Sequence, residues 1–137
     1  MIYRIPRKPT SARVYVWRKL TQLGAIALQD AVWTLPATDR NREQFRWIAA
    51  EIGELGGEVS LYEADLLTSN AEPSLIERFD EPVRREYAEI LAALKKRKSD
   101  LAALAKKYQQ AQARDFFDCS LGAQVRAKLL AAQEKLP

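Results

Sequence analysis

Six cations, Arg4, Arg7, Lys8, Arg13, Arg18 and Lys19, fall within sixteen residues, with Tyr3 just before them and Tyr15 and Trp17 among them. Guanidinium and ammonium groups neutralise phosphates and aromatic rings stack on bases, so this mixture suits a nucleic-acid backbone. The same residues also suit a solvated helix face over a Trp-anchored core. A second cationic run, Lys95-Lys96-Arg97-Lys98, points around more than half of a helix circumference, too widely for all four to pair along one helix. It fits phosphate contact or the solubilising of a long exposed helix.

Groups for turnover are scarce. The chain has no His, and most zinc sites, Ser-His and Cys-His nucleophile systems and the commonest general base all use imidazole. Glu51/Glu54 and Asp115/Asp118 have spacings that fit one helix face, but neither comes with a second ligand pair, so no metal site and no catalytic residue is expected. Cys119 follows Asp118 at the start of a helix, where a thiol pKa can fall, yet it has no resolving partner. Binding rather than catalysis is the expectation, and no cofactor is implied.

Hydrophobic residues make up 47% of the chain and charged residues 29%, ordinary for a globular protein and unlike a disordered one. No apolar run approaches the roughly 18–20 residues that span a bilayer, and the first residues lack the apolar stretch of a secretory signal. A single Cys excludes an intramolecular disulfide and fits a reducing cytoplasm. Charge is segregated: nine Lys/Arg stand against three Asp/Glu over residues 1–46, three against eleven over 47–92, and ten against four over 93–137. Such a basic–acidic–basic chain either folds its opposite charges together or displays basic faces to a polyanion.

These cations need elements to position them. Ile2–Ile5 reads as a strand ended by Pro6 and Pro9. Thr10 or Ser11 offers an N-cap oxygen for a helix carrying Val16, Leu20 and Leu23 on one face, stopped by Gly24 in a left-handed conformation. Residues 25–29 and 31–35 read as two strands joined near Asp30. A helix from Thr38 or Asp39 has Phe45, Ile48, Ile52 and Leu55 as its core stripe. After Gly56-Gly57, a fourth strand is expected over residues 58–67. The order β-α-β-β-α-β predicts an α+β, ferredoxin-like sandwich over residues 1–67, with both helices on one face of an antiparallel sheet.

Residues 68–137 then predict a helical extension packed on that domain as one structural unit. Ser74 and Glu77 have capping-box spacing for a short helical turn. A long helix is predicted from Pro82 to about Arg114, with Val83, Tyr87, Ile90, Leu94, Leu101, Leu104 and Tyr108 as a heptad seam broken at Arg97. That seam serves either a homodimer or intrachain packing. A bend at residues 115–117 precedes a short last helix capped by Ser120.

The stretch ARVYVWRKLTQLGAIALQDAVWTLP resembles the start of the ChrB N-terminal domain family. Val16, Trp17, Arg18, Leu20, Leu23, Gly24 and Ala25 match its "VWR-x-L-x-x-LGA" helix, and Leu28, Gln29, Val32, Trp33, Leu35 and Pro36 its strand pair. Arg114, Asp115, Phe116, Phe117, Leu121 and Gly122 resemble its later RDFF-x-x-x-LG signature, and Gly56-Gly57 also fits. The resemblance implies a chromate-responsive DNA-binding regulator, associated with chromate-resistance operons; with the single Cys and the heptad seam, the expectation is a cytoplasmic homodimer. Longer members carry a second, C-terminal domain, which a chain of 137 residues is expected to lack.

On this reading Arg7, Lys8, Arg13, Arg18 and Lys19 contact DNA phosphates, and Lys95, Lys96 and Lys98 form a second patch. Chromate is a tetrahedral dianion that suits Arg forks, with Arg13, Arg18 and Arg114 as its candidates. A more distant similarity is to Cas2-like and PaaX-type ferredoxin domains. Their nuclease members hold a metal on an acid at the end of the first strand, where this chain has Tyr3-Arg4-Ile5, so nuclease activity is not implied. The alternative is a non-enzymatic protein-interaction module that assembles through the long helix and does not bind DNA.

Overall fold

Ala12, Val16 and Leu20 recur every fourth residue, and they form the buried stripe of helix α1 (Thr10–Gln22) in the computed structural model, which describes residues 1–136, Ser69 by its backbone alone. Gly24 takes φ +86° just beyond this helix. An L side chain resists that left-handed geometry, so the chain turns there and enters the sheet. Strands β1 (Ile2–Arg4), β2 (Ile26–Gln29), β3 (Val32–Thr34) and β4 (Glu58–Ser60) pair antiparallel in the order β2-β3-β1-β4. Helix α2 (Asp39–Glu54) starts where the Thr38 side chain accepts the Asn41 N–H at 3.1 Å. Buried Asn41 donates its side-chain amide to the Pro36 carbonyl, which ties the end of β3's connection to α2.

Strand alternation aims one face of the sheet at the two helices. Tyr3 lies opposite Val59, and Ala27 opposite Trp33. These four pack with Met1, Val16, Leu20, Ala25, Ile48 and Ile52 into one core. Burying a side chain such as Leu20 or Ile52 completely contributes about 1.5–3 kcal/mol, so this layer dominates the unit's stability. β4 reaches it through a close approach: a Cβ on Gly57 would sit 2.6 Å from the Arg4 carbonyl oxygen and 2.7 Å from Ile52 Cγ2.

The chain divides into two units after Leu67. In the second, a 3-10 turn (Ser69–Ala71) leads into α3 (Glu72–Leu94), followed by α4 (Leu101–Gln112) and α5 (Ser120–Glu134). Val83, Tyr87 and Ile90 of α3 pack with Leu104 and Ala111 of α4 and Val125 and Leu129 of α5. Three helices of this kind bury one apolar stripe each and need no sheet.

Several expectations from the sequence need correction. The single helix from Pro82 to Arg114 is two helices, and Pro82 lies inside α3 rather than at its start; the proline near the start is Pro73. The Ser74/Glu77 turn is part of the same helix. Four consecutive cations follow Leu94, and Asp100 then accepts the Ala103 N–H at 3.1 Å as the cap of a new helix. The heptad pattern is therefore the two inner faces of a helical hairpin, and Arg97 is exposed at its tip rather than seated in a seam. Pro9, with no side-chain cap bond, precedes α1, and Cys119 precedes α5, so Thr10 and Ser120 are first helical residues rather than caps. The last helix is fifteen residues long, not short. β4 pairs over three residues rather than ten, and residues 61–67 run on without a strand partner in the sheet.

Candidate nucleic-acid interface

α1 presents its side chains in four directions, and this sorts the predicted cations. Residues four apart share a face of a helix. Ala12, Val16 and Leu20 face the core. One flank carries Tyr15 and Lys19: the Tyr15 hydroxyl donates to Glu51 Oε2 of α2 at 2.8 Å, and Lys19 Nζ lies 5.6 Å from the centre of the Tyr15 ring. The Glu51 carboxylate that accepts this bond also raises the Tyr15 pKa. The opposite flank carries Arg13 and Trp17, which line a cleft of about 750 Å³. Arg18 stands apart from both, exposed and outside the cleft.

The cleft lies where α1 passes the sheet and the turn between β2 and β3. Tyr3, Arg4 and Ile5 come from β1 and its exit, Arg7 from the following link, and Gln29, Asp30 and Ala31 from the turn; Trp33 forms part of its wall. The turn is pinned to β1, because Tyr3 N–H donates to the Ala31 carbonyl at 3.1 Å. Ala31 itself holds φ +62°, a left-handed conformation that non-glycine residues adopt at a cost. The lining thus includes three arginines, Arg4, Arg7 and Arg13, and one acidic residue, Asp30. Trp17 is 55% exposed, unusual for so large an apolar ring.

Of the five predicted contacts in the first unit, the cleft gathers Arg7 and Arg13. Lys8, Arg18 and Lys19 lie outside it. Arg4, Gln29 and Asp30 were not predicted as contacts. Arg4 stood within the basic-aromatic segment; the other two become neighbours of it only through the β1–β3 pairing, which residue types do not announce.

In the second unit, Lys95, Lys96 and Lys98 project with Arg97 from the turn between α3 and α4, all exposed. Arg114 is differently placed. Its Nη2 donates to Glu86 Oε2 at 2.6 Å and its Nε to the Gln110 carbonyl at 3.2 Å, so it joins α4 to α3 rather than standing open to an anion. Asp115 beside it accepts the Tyr87 hydroxyl at 2.9 Å and the Cys119 N–H at 2.8 Å. Phe116 and Phe117 both pack against buried Phe79, with ring centroids 5.8 Å away in each case. The RDFF segment is therefore a structural clasp. Burial, and then the bond to Asp115, push the Tyr87 pKa well above its ordinary value.

Among the described residues, no group of three or more Cys, Asp or Glu is placed to hold a metal ion, and no helix is long and apolar enough to cross a membrane. The family model described as "Protein ChrB, N-terminal" matches residues 13–112, well over half of the 137 residues. No curated protein and no solved structure matches the chain.

Proposed function

The chain belongs to the ChrB N-terminal family, and on that premise we propose that it is a DNA-binding transcriptional regulator of chromate resistance whose affinity for DNA responds to chromate. The observation that carries this reading is the cleft whose lining includes Arg4, Arg7 and Arg13 beside exposed Trp17. Planar guanidinium groups suit phosphate oxygens, and three of them on one concave surface favour a polyanion over a single carboxylate. The exposed tip at Lys95, Lys96 and Lys98 supplies further phosphate contacts. The element order and the sheet order β2-β3-β1-β4 support a ferredoxin-like reading of the first unit. The protein's work on this view is binding, not turnover.

Chromate is a tetrahedral dianion, and the phosphodiester of DNA is a tetrahedral monoanion, so both suit the same donors. Arg7 and Arg13 are the favoured pair for it, and an anion held there competes with DNA for the same donors. Arg18 has no second cleft cation beside it, and Arg114 is already bonded to Glu86. The assembly-module alternative is weakened because Val83, Tyr87, Ile90 and Leu104 are buried inside the second unit.

A gel-shift titration with a fragment of the protein's own promoter tests the proposal. Binding weakens with salt, with a slope of about 0.9 per phosphate neutralised. Replacing Arg7 and Arg13 together with Ala is expected to lower that slope by about 2, whereas Arg18→Ala leaves most of it. Added chromate is expected to release the fragment from the wild type. A promoter fragment bound no better than unrelated DNA, or not at all, removes the reading.

A further inference from the structure

We propose that the cleft beside α1 receives an unpaired, unstacked nucleotide, with its base on the Trp17 ring and its phosphate on Arg7 and Arg13. This deepens the DNA-binding reading and rests on it. A paired duplex is read by elements that protrude into its grooves, such as a helix or a two-stranded ribbon. Here the arginines and the aromatic rings lie around a recess, and a recess cannot enter a groove. What enters a recess is something that projects from the nucleic acid: a base turned out of the stack, or a single strand.

The lining fits that occupant. A volume of about 750 Å³ lies within the usual range of ligand clefts, roughly 300–1,000 Å³. Trp17 is 55% exposed and Trp33 is buried, so Trp17 is the ring free to stack while Trp33 holds the wall. Asp30, at the turn, repels phosphate and accepts hydrogen bonds from amino groups on a base edge. Its charge, opposite to that of the lining arginines, orients the nucleotide. The phosphate lies toward residues 4–13 and the base edge toward residues 29–31.

Fluorescence anisotropy with the full chain distinguishes this from simple duplex binding. The probes are a labelled, fully paired duplex of mixed sequence, the same duplex with one unpaired nucleotide at its centre, and one of its strands alone. The bulged duplex is expected to bind more tightly than the paired one by about 5- to 150-fold, the range set by stacking one base on one aromatic ring. Trp17→Ala is expected to abolish that preference. Trp17→Tyr restores it in part, and Trp47→Ala, which removes a ring 65% exposed outside the cleft, leaves it intact. Equal affinity for paired and bulged duplexes, or a preference that survives Trp17→Ala in a folded variant, overturns the inference and spares the DNA-binding reading. Failure to bind any of the three probes overturns both.

Discussion

Replacing Asp115 with Ala removes the group that joins all three helices of the second unit. Its carboxylate accepts the Tyr87 hydroxyl of α3 at 2.9 Å and the Cys119 N–H at the start of α5 at 2.8 Å, while its backbone follows α4. Tyr87 is only 1% exposed, so its hydroxyl cannot turn to bulk water; leaving such a donor without an acceptor costs about 1–3 kcal/mol. The backbone N–H of Cys119 loses a charged acceptor, worth about 1 kcal/mol where water can partly replace it. Asp115→Ala is therefore expected to cost roughly 2–4 kcal/mol. Tyr87→Phe removes donor and need together and should cost about 1 kcal/mol. The double variant should be less destabilised than the sum, because only one of the two bonds is shared. Urea unfolding followed by far-ultraviolet circular dichroism reads these differences. A loss below about 0.5 kcal/mol for Asp115→Ala, or strict additivity with Tyr87→Phe, would refute the clasp.

Three further outcomes are expected. Gly57→Ala forces a methyl group to 2.6 Å from the Arg4 carbonyl oxygen, where backbone has to shift, and should lower the unfolding free energy by about 1–3 kcal/mol. Because the folded state raises the Tyr87 pKa, the neutral hydroxyl's stabilisation is complete below about pH 10, the ordinary tyrosine value, and declines as pH rises above it. Thermal melts between neutral and strongly alkaline pH should show that decline in the wild type and less of it in Tyr87→Phe. Replacing Lys95, Lys96 and Lys98 with Ala should leave stability within about 0.5 kcal/mol, since all three are exposed. The same triple variant should reduce the salt dependence of DNA binding by up to about 2.7.

Local signals in the sequence carried much of the first unit. The four-residue recurrence through Val16 and Leu20, the stop at Gly24, the helix start at Thr38 or Asp39 and the turn near Asp30 each act over a few residues, and each has its expected place. The α3–α4 break was hidden by a coincidence of spacing. Val83, Tyr87, Ile90 and Leu94 continue in step with Leu101, Leu104 and Tyr108, so a folded hairpin and a straight helix give the same apolar pattern. Only Ser99-Asp100 marked the restart, and a cap within a charged run is a weak signal. β4 is shorter than its composition predicts: residues 61–67 include Leu61, Tyr62, Leu66 and Leu67, which suit a strand, while pairing depends on a neighbour the residues do not name. For the interface, residue type showed that Arg7, Arg13 and Trp17 had chemistry to offer. That Arg18 and Lys19 turn elsewhere follows from helix phase, and that Asp30 and Gln29 join the cleft follows from tertiary pairing.

One short strand of the sheet has the largest effect on how the chain tolerates trimming. β1 is three residues long, yet it occupies an inner position, bonded to β3 on one side and β4 on the other. Deleting residues 1–4 would not shave an edge; it would cut the sheet through its middle. The β2–β3 ribbon and β4 would be left as separate fragments, and an isolated two-stranded ribbon is marginal in water. Arg4 and Tyr3 would leave the cleft with it. A design that fuses, tags or truncates this protein at its front end is therefore editing the centre of the first unit, however peripheral those residues look on a linear map.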